Sequence, residues 1–247
     1  MTSSPPSSQG NAVRVTDEVI PLGEALEIVT GYVFGSKDIA WTRPVGGVGE
    51  PLGALSRGVF AYRTYDCIAA APSSELEPVD VLVADGLNAQ MRAKDIAGAL
   101  AVAGAVSDQL KQIDSNLTFW SLPRDEIESP PTDEHQLAWP IWRAWTILMG
   151  VDGIDIARTH KILHHKRPRV FPLIDNQTID LVGRSTAWIT IYDDLKTAGP
   201  VWDRLEHAIR GRLGAADAPL SRLRLHDILL WTRATGNRDV ARGLGAR

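Results

Sequence analysis

Hydrophobic positions recur at helical spacing over most of this chain after residue 72, and only intermittently before it. Near the N-terminus, "EVIPLGEALEIVTGYVFG" sets Leu22, Ala25, Leu26, Val29 and Val33 three and four apart, which predicts one helix. From Ser36 to Ala71 the pattern changes. "TRPVGGVGEPLG" is rich in Gly and Pro and "GVFAYRTYDCIAAA" partly alternates, so a loop with a short hairpin is predicted. Helical text then dominates. "PVDVLVADGLNAQM" opens on Pro78, suited to a first helical position, and "AKDIAGALAVAGAVSDQLKQI" is alanine-rich with an apolar stripe. After a loop around "SLPRDEIESPPTDE" come "HQLAWPIWRAWTILM", "VDGIDIARTHKILHHK", "NQTIDLVGRS", "YDDLKTAGPVWDRLEHAIRGRL" and "LSRLRLHDILLWTRATG". There is no internal repeat. The expected fold is mostly α: a compact helical domain over 72–247, a small irregular and β extension with one helix over 13–71, and a disordered Ser/Pro-rich tail over 1–12.

Bulk properties narrow this picture only modestly. The chain has 247 residues, 44% hydrophobic and 23% charged, ordinary for a soluble globular protein of one large domain or two small ones. No apolar run approaches the roughly 20 residues that span a bilayer, so no membrane partner is expected. "MTSSPPSSQGN" lacks the basic start and apolar stretch of a signal peptide, and a cytoplasmic location is the default expectation. Cys67 is the only cysteine, which excludes an internal disulfide, a multi-cysteine zinc site and a four-cysteine iron–sulfur cluster. The net charge of -4 argues against nonspecific coating of nucleic acid but leaves room for a local basic patch.

The richest stretch runs from Val151 to Asp175. Trp142, Trp145, Ile147 and Leu148 form an apolar face that ends at Met149–Gly150. Gly153-Ile154-Asp155 then reads as a tight turn, and Ile156, Thr159, Ile162 and Leu163 resume helical spacing. Asp155 is placed to cap the second helix. That helix carries Arg158, His160, Lys161, His164, His165, Lys166 and Arg167, with Arg169 just beyond the stop at Pro168. A helix N-terminus in a tight turn is a ready anion site, and nearby cations would strengthen a hold on backbone phosphates. His160 and His164 have the i, i+4 spacing of metal ligands, but the glutamate of the "HExxH" motif is missing and no remote ligand stands out. No metal and no cofactor are expected.

This layout resembles the helix-hairpin-helix of the DNA glycosylase superfamily, whose hairpin reads Leu-Pro-Gly-hydrophobic-Gly, three residues, then Ala. Gly153 and Ile154 match. Asp152 stands at the Pro, Asp155 at the second Gly and Thr159 at the Ala. The family's catalytic Asp follows a Pro-containing loop that ends in "VD"; "FPLIDNQTI" supplies Asp175 at that place. Bifunctional members carry a Lys 18 residues before this Asp. Here that position is Ala157, as in the monofunctional members that lack the lysine. "GLNAQM" is similar to the "LLSAQ"-type stretch, and its Gln90 falls on the residue that enters the base stack. "KILHHKRPRVFPLID" and "RLHDILLW" look closer still to an uncharacterised bacterial family with a Lys-Arg-Pro…Pro…Asp pattern and a Leu-Arg…Leu-Asp-Val…Trp pattern, over most of residues 75–235.

The glycosylase resemblance implies a DNA-repair hydrolase of the monofunctional base-excision type acting on double-stranded DNA. Asp175 would stabilise positive charge on the sugar or activate water. Gly153, Lys161, Lys166, Arg167 and Arg169 would hold the strand, Gln90 would fill the vacated base position, and Trp142 and Trp145 would line the pocket by stacking. The alternative is a catalytically inactive helix-hairpin-helix-like module that binds nucleic acid or protein. Each residue also has a plainer reading. Asp175 is a good N-cap, Gln90 suits a helix surface, and Trp142 and Trp145 suit a core. The basic run could be a solvated face or pair with Asp193 and Asp194.

Overall fold

The computed structural model describes residues 8–42, 51–71, 74–214 and 217–246. Most of the expected tail, and residues 43–50 of the Gly/Pro-rich stretch, lie outside the described residues. Among those described, the chain forms twelve α-helices and two two-stranded sheets, so the fold is mostly α.

Strands β1 (Ala12–Val15) and β2 (Glu18–Pro21) pair antiparallel about a two-residue turn, and helix α1 (Leu22–Phe34) comes directly after. Strands β3 (Ser36–Thr42) and β4 (Pro51–Gly58) make the hairpin expected before Ala71. From there to residue 92 the chain holds little regular structure: two 3-10 segments, Ala61–Arg63 and Val83–Leu87, and one short helix, α2 (Pro78–Leu82), with Pro78 at its first position. The alanine-rich stretch forms two helices, α3 (Ala93–Ala101) and α4 (Ala103–Leu110), and not one continuous helix. The break is at the β-branched Val102, flanked by Gly98 and Gly104, which weaken the run on either side. Next come α5 (Arg124–Glu128), α6 (Trp139–Met149), α7 (Ile156–Lys166) and α8 (Ile179–Val182). "YDDLKTAGPVWDRLEHAIRGRL" likewise divides, into α9 (Ala187–Thr197) and α10 (Gly199–Arg210), because Pro200 cannot continue the preceding helix. Helix α11 (Arg222–Ala234) and a further helix, α12 (Arg238–Gly245), complete the chain.

Two helices sit deepest, and both are unusually polar. Every residue from Ser221 to Leu230 is buried, as is every residue from Thr159 to Lys166. The apolar core gathers around them from α1, α6, α9 and α10, with Phe119, Phe171 and Trp202 among its largest fully buried side chains. At the edge of the fold α1 and α12 lie against each other. Backbone meets backbone there: a Cβ at Gly31 would collide with the Ala241 carbonyl, and one at Gly245 with the Glu27 carbonyl. Gly31→Ala is expected to lower unfolding free energy in urea by about 1–3 kcal/mol, the range for overpacking. A change under about 0.5 kcal/mol would mean that the two helices do not meet backbone to backbone.

Candidate functional site

The sequence predicts two helices joined by a tight turn at 149–156, and the structure has them. Gly153 takes φ +82°, and the Asp155 side chain accepts a hydrogen bond from the Arg158 backbone N–H at 2.9 Å, capping α7. The body of α7, however, is not a solvated basic face. Its charged and imidazole side chains turn inward, and each finds a carbonyl oxygen of the irregular chain around it.

Arg158 donates to the carbonyls of Ala89 (3.0 Å) and Gln90 (2.9 Å) and also to that of Gly153. Lys161 Nζ donates to Leu87 O at 2.8 Å. His165 Nε2 reaches Ile68 O at 2.7 Å, and Lys166 Nζ reaches Ala71 O at 2.9 Å. Arg167 donates to the Ser74 hydroxyl and the Leu110 carbonyl. On the other side His160 Nδ1 meets Pro172 O and His164 Nδ1 meets Phe171 O, each at 2.7 Å. Segments 68–92 and 171–172 have few carbonyl partners of their own in helices or sheets, and buried carbonyls need donors. Helix α7 supplies them.

Lys166 Nζ also lies 2.9 Å from Asp80, with both side chains fully excluded from solvent. Burial alone would raise the Asp80 carboxyl, but hydrogen bonds from His165, the Glu77 backbone and Lys166 hold it down at about 2. Burial lowers His160 to about 4 and His164 to about 3. The neutral tautomer suits His160: Nδ1–H faces a carbonyl, while Nε2 accepts from the indole N–H groups of Trp145 (3.1 Å) and Trp188 (3.4 Å).

Beside α7 opens a cleft of about 500 Å³. Asp155, Ala157, Arg158 and Lys161 form one wall, residues 86–90 the rim, Leu173–Gln177 a second wall, and Arg224, Asp227 and Trp231 of α11 the back. Tyr32 and Phe60, stacked with ring centroids 5.1 Å apart, close one end beside Trp231. Asp175 therefore faces this cleft. It also caps the turn after it: Oδ1 accepts from the backbone N–H groups of Gln177 (2.9 Å) and Thr178 (3.1 Å). The plainer reading of Asp175 as a cap therefore describes a carboxylate that also lines the cleft.

The predicted site residues divide. Asp175, Gln90 and Lys161 line one cleft, with Gln90 exposed at its rim in a left-handed backbone conformation, φ +53°. Gly153 lies outside it, its lack of a Cβ leaving room for the buried Asp95 carboxylate that binds Arg92. Lys166 and Arg167 are turned away from it, into their bonds with Ala71, Asp80, Ser74 and Leu110. Arg169 is exposed but does not line the cleft. Trp142 and Trp145 do not line it either. They belong to an aromatic cluster with Trp188, where Trp142 donates to Glu126 O at 2.9 Å. Asp193 and Asp194 pair elsewhere, with Arg124 and with His226 and Arg14. Sequence reasoning missed Arg224, Asp227 and Trp231, although their i, i+3, i+7 spacing places them on one helix face.

Residues 49–234 match a family described as a family of unknown function, DUF6308. The chain belongs to this family. No curated protein and no solved structure matches it. Among the described residues no helix is long and apolar enough to cross a membrane.

Lys166→Ala strands the buried Asp80 carboxylate and is expected to lower stability by about 3–5 kcal/mol in urea unfolding. A loss below about 1 kcal/mol would contradict a desolvated pair. The two histidines give a second expectation. Their folded values lie below the ordinary 6.5, so below that pH the unfolded chain takes up protons that the folded chain refuses. Urea midpoints should fall steadily as pH drops from 6.5 towards about 4, and His160→Gln should flatten part of that slope.

Proposed function

We propose that the cleft hydrolyses the N-glycosidic bond between a nucleobase and its sugar in duplex DNA, with Asp175 as the acting carboxylate. The observation that carries this reading is the meeting of Asp175, Gln90 and Lys161 at one cleft that also holds the aromatic faces of Phe60 and Trp231. Its volume is in the range of small-molecule sites. Breaking a glycosidic bond builds positive charge on the sugar. A fixed carboxylate stabilises that charge and can take a proton from the attacking water. Gln177 and Thr178 fix Asp175 through Oδ1. Gln90, exposed at the rim, would occupy the space a flipped base vacates, and extrusion of that base costs a few kcal/mol. The similarity of "NAQ", "GI" and "FPLID" to glycosylase motifs supports the same reading.

A binding-only role is the second reading, favoured by the hairpin itself. Asp152 and Asp155 are exposed there, and the cations of α7 point into the protein. Asp152 is met by Lys94, at 3.5 Å, on an exposed surface.

Asp175→Asn separates the two. Asn caps as well as Asp, so stability should change by no more than about 1 kcal/mol. Release of free base from duplexes that each carry one damaged or mispaired base should fall at least about 100-fold, the lower end for general acid–base catalysis. Equal release by the variant contradicts the role given to Asp175. Duplex binding by the wild type without release from any duplex returns the binding-only reading.

A further inference from the structure

We infer that α11 supplies the other half of the site: Asp227 is the proton donor to the departing base, across the cleft from Asp175, and Trp231 is the face against which that base stacks. This rests on the proposed hydrolysis at Asp175. Arg224, Asp227 and Trp231 share one face of α11, and all three line the cleft. The neighbouring leucines and isoleucine of α11 are packed in the core, so this face is the part of the helix that a ligand can meet.

The tie between Arg224 and its neighbours sets Asp227 apart from Asp175. Asp66 takes Arg224 with both oxygens, at 2.7 and 2.8 Å, and Arg224 donates to the Tyr32 hydroxyl at 2.7 Å. The charge of the guanidinium is thus already matched when Asp227 Oδ2 accepts its remaining Nη1. One carboxylate therefore sits buried beside a cation that another carboxylate has claimed. Burial pushes the Asp227 carboxyl up to about 6; Arg224 opposes this, and the Asp175 and Asp66 charges add to it. The groups facing Asp227 are Arg224 on its own helix, Asp66 and Tyr65 from the irregular segment, Tyr32 from α1, Lys161 from α7 and Asp175 across the cleft. Asp175, by contrast, has backbone donors on Oδ1. Paired carboxyl groups in unlike surroundings divide naturally into acid and base.

The step balances. Water oxygen bonds to the anomeric carbon as the carbon–nitrogen bond breaks. The bonding pair stays on the base nitrogen, which receives the Asp227 proton, and Asp175 takes the proton lost by the water. Solvent exchange returns that proton to Asp227 after the products leave.

The test measures base release from a damaged-base duplex in single turnover from pH 4.5 to 8, alongside a carbon-13 titration of the Asp227 carboxyl. Wild type should lose rate as pH rises through about 6. Asp227→Asn should release base about 100-fold more slowly at pH 6 and lose that limb. Asp66→Asn keeps Asp227 but gives it Arg224 unshared, so the limb and the carbon-13 midpoint should both move to lower pH. Wild-type rates and an unchanged limb in Asp227→Asn overturn the assignment and leave Asp175 in its role. An Asp227 that titrates with ordinary exposed carboxylates overturns it too, whatever the rates. No release by the wild type, with Asp227 still titrating near 6, overturns the reaction itself and the donor role with it.

Discussion

Donation from α7 to backbone carbonyls is the interaction on which the rest of this structure depends. The described residues between 68 and 92 that lie outside α2 and the 3-10 segment pack against the helical body with no helix or sheet to satisfy their own peptide groups. Four side chains of one helix, Arg158, Lys161, His165 and Lys166, reach into segment 68–92 and terminate carbonyls along its length, and Arg167 at the C-cap donates to its Ser74 hydroxyl. Each bond contributes little net free energy, about 0.5–1.5 kcal/mol, but an unmade bond to a buried carbonyl costs more than a made one contributes. The run of cations is therefore a folding device first. It fixes where the rim of the cleft, Gly86 to Gln90, lies relative to α7.

The cleft is a consequence of that arrangement. Arg158 holds the backbone of Ala89 and Gln90, Lys161 holds Leu87, and the loop from Phe171 to Asp175 is pinned at Phe171 and Pro172 from the other side by His164 and His160. One helix thus sets the spacing between the rim that bears Gln90 and the wall that bears Asp175. Helix α11 closes the back with a second inward network, in which Arg224 joins Asp66, Tyr32 and Asp227. Two polar helices, each buried, frame one opening.

Much of the local structure was legible in the sequence. The turn at Gly153, the cap at Asp155 and the start at Pro78 follow from residue types whose backbone or capping preferences are strong, whereas the pairing of Gln90 with Asp175 came from motif resemblance alone. The direction of the basic run was not legible. Hydrophobic periodicity treats a charged residue as an outward one, yet the partners of Lys161, His165 and Lys166 are carbonyls 74 to 97 residues away in sequence. A carbonyl is present at every residue and leaves no signal in composition. For the same reason Trp142 and Trp145 could not be assigned between core and pocket, because the choice turned on Trp188 and Glu126. Helix α12 escaped notice because "RDVARGLG" has weak helical propensity and is held by its packing on α1.

The most direct measurement of the inward clasp is lysine accessibility in the folded protein. Brief acetylation with residue-resolved mass spectrometry should modify Lys94 and Lys111, which are about half exposed, and spare Lys161 and Lys166 until urea unfolds the chain. Labelling of Lys161 and Lys166 as fast as Lys94 in the native state would show an outward basic face, and would contradict the account.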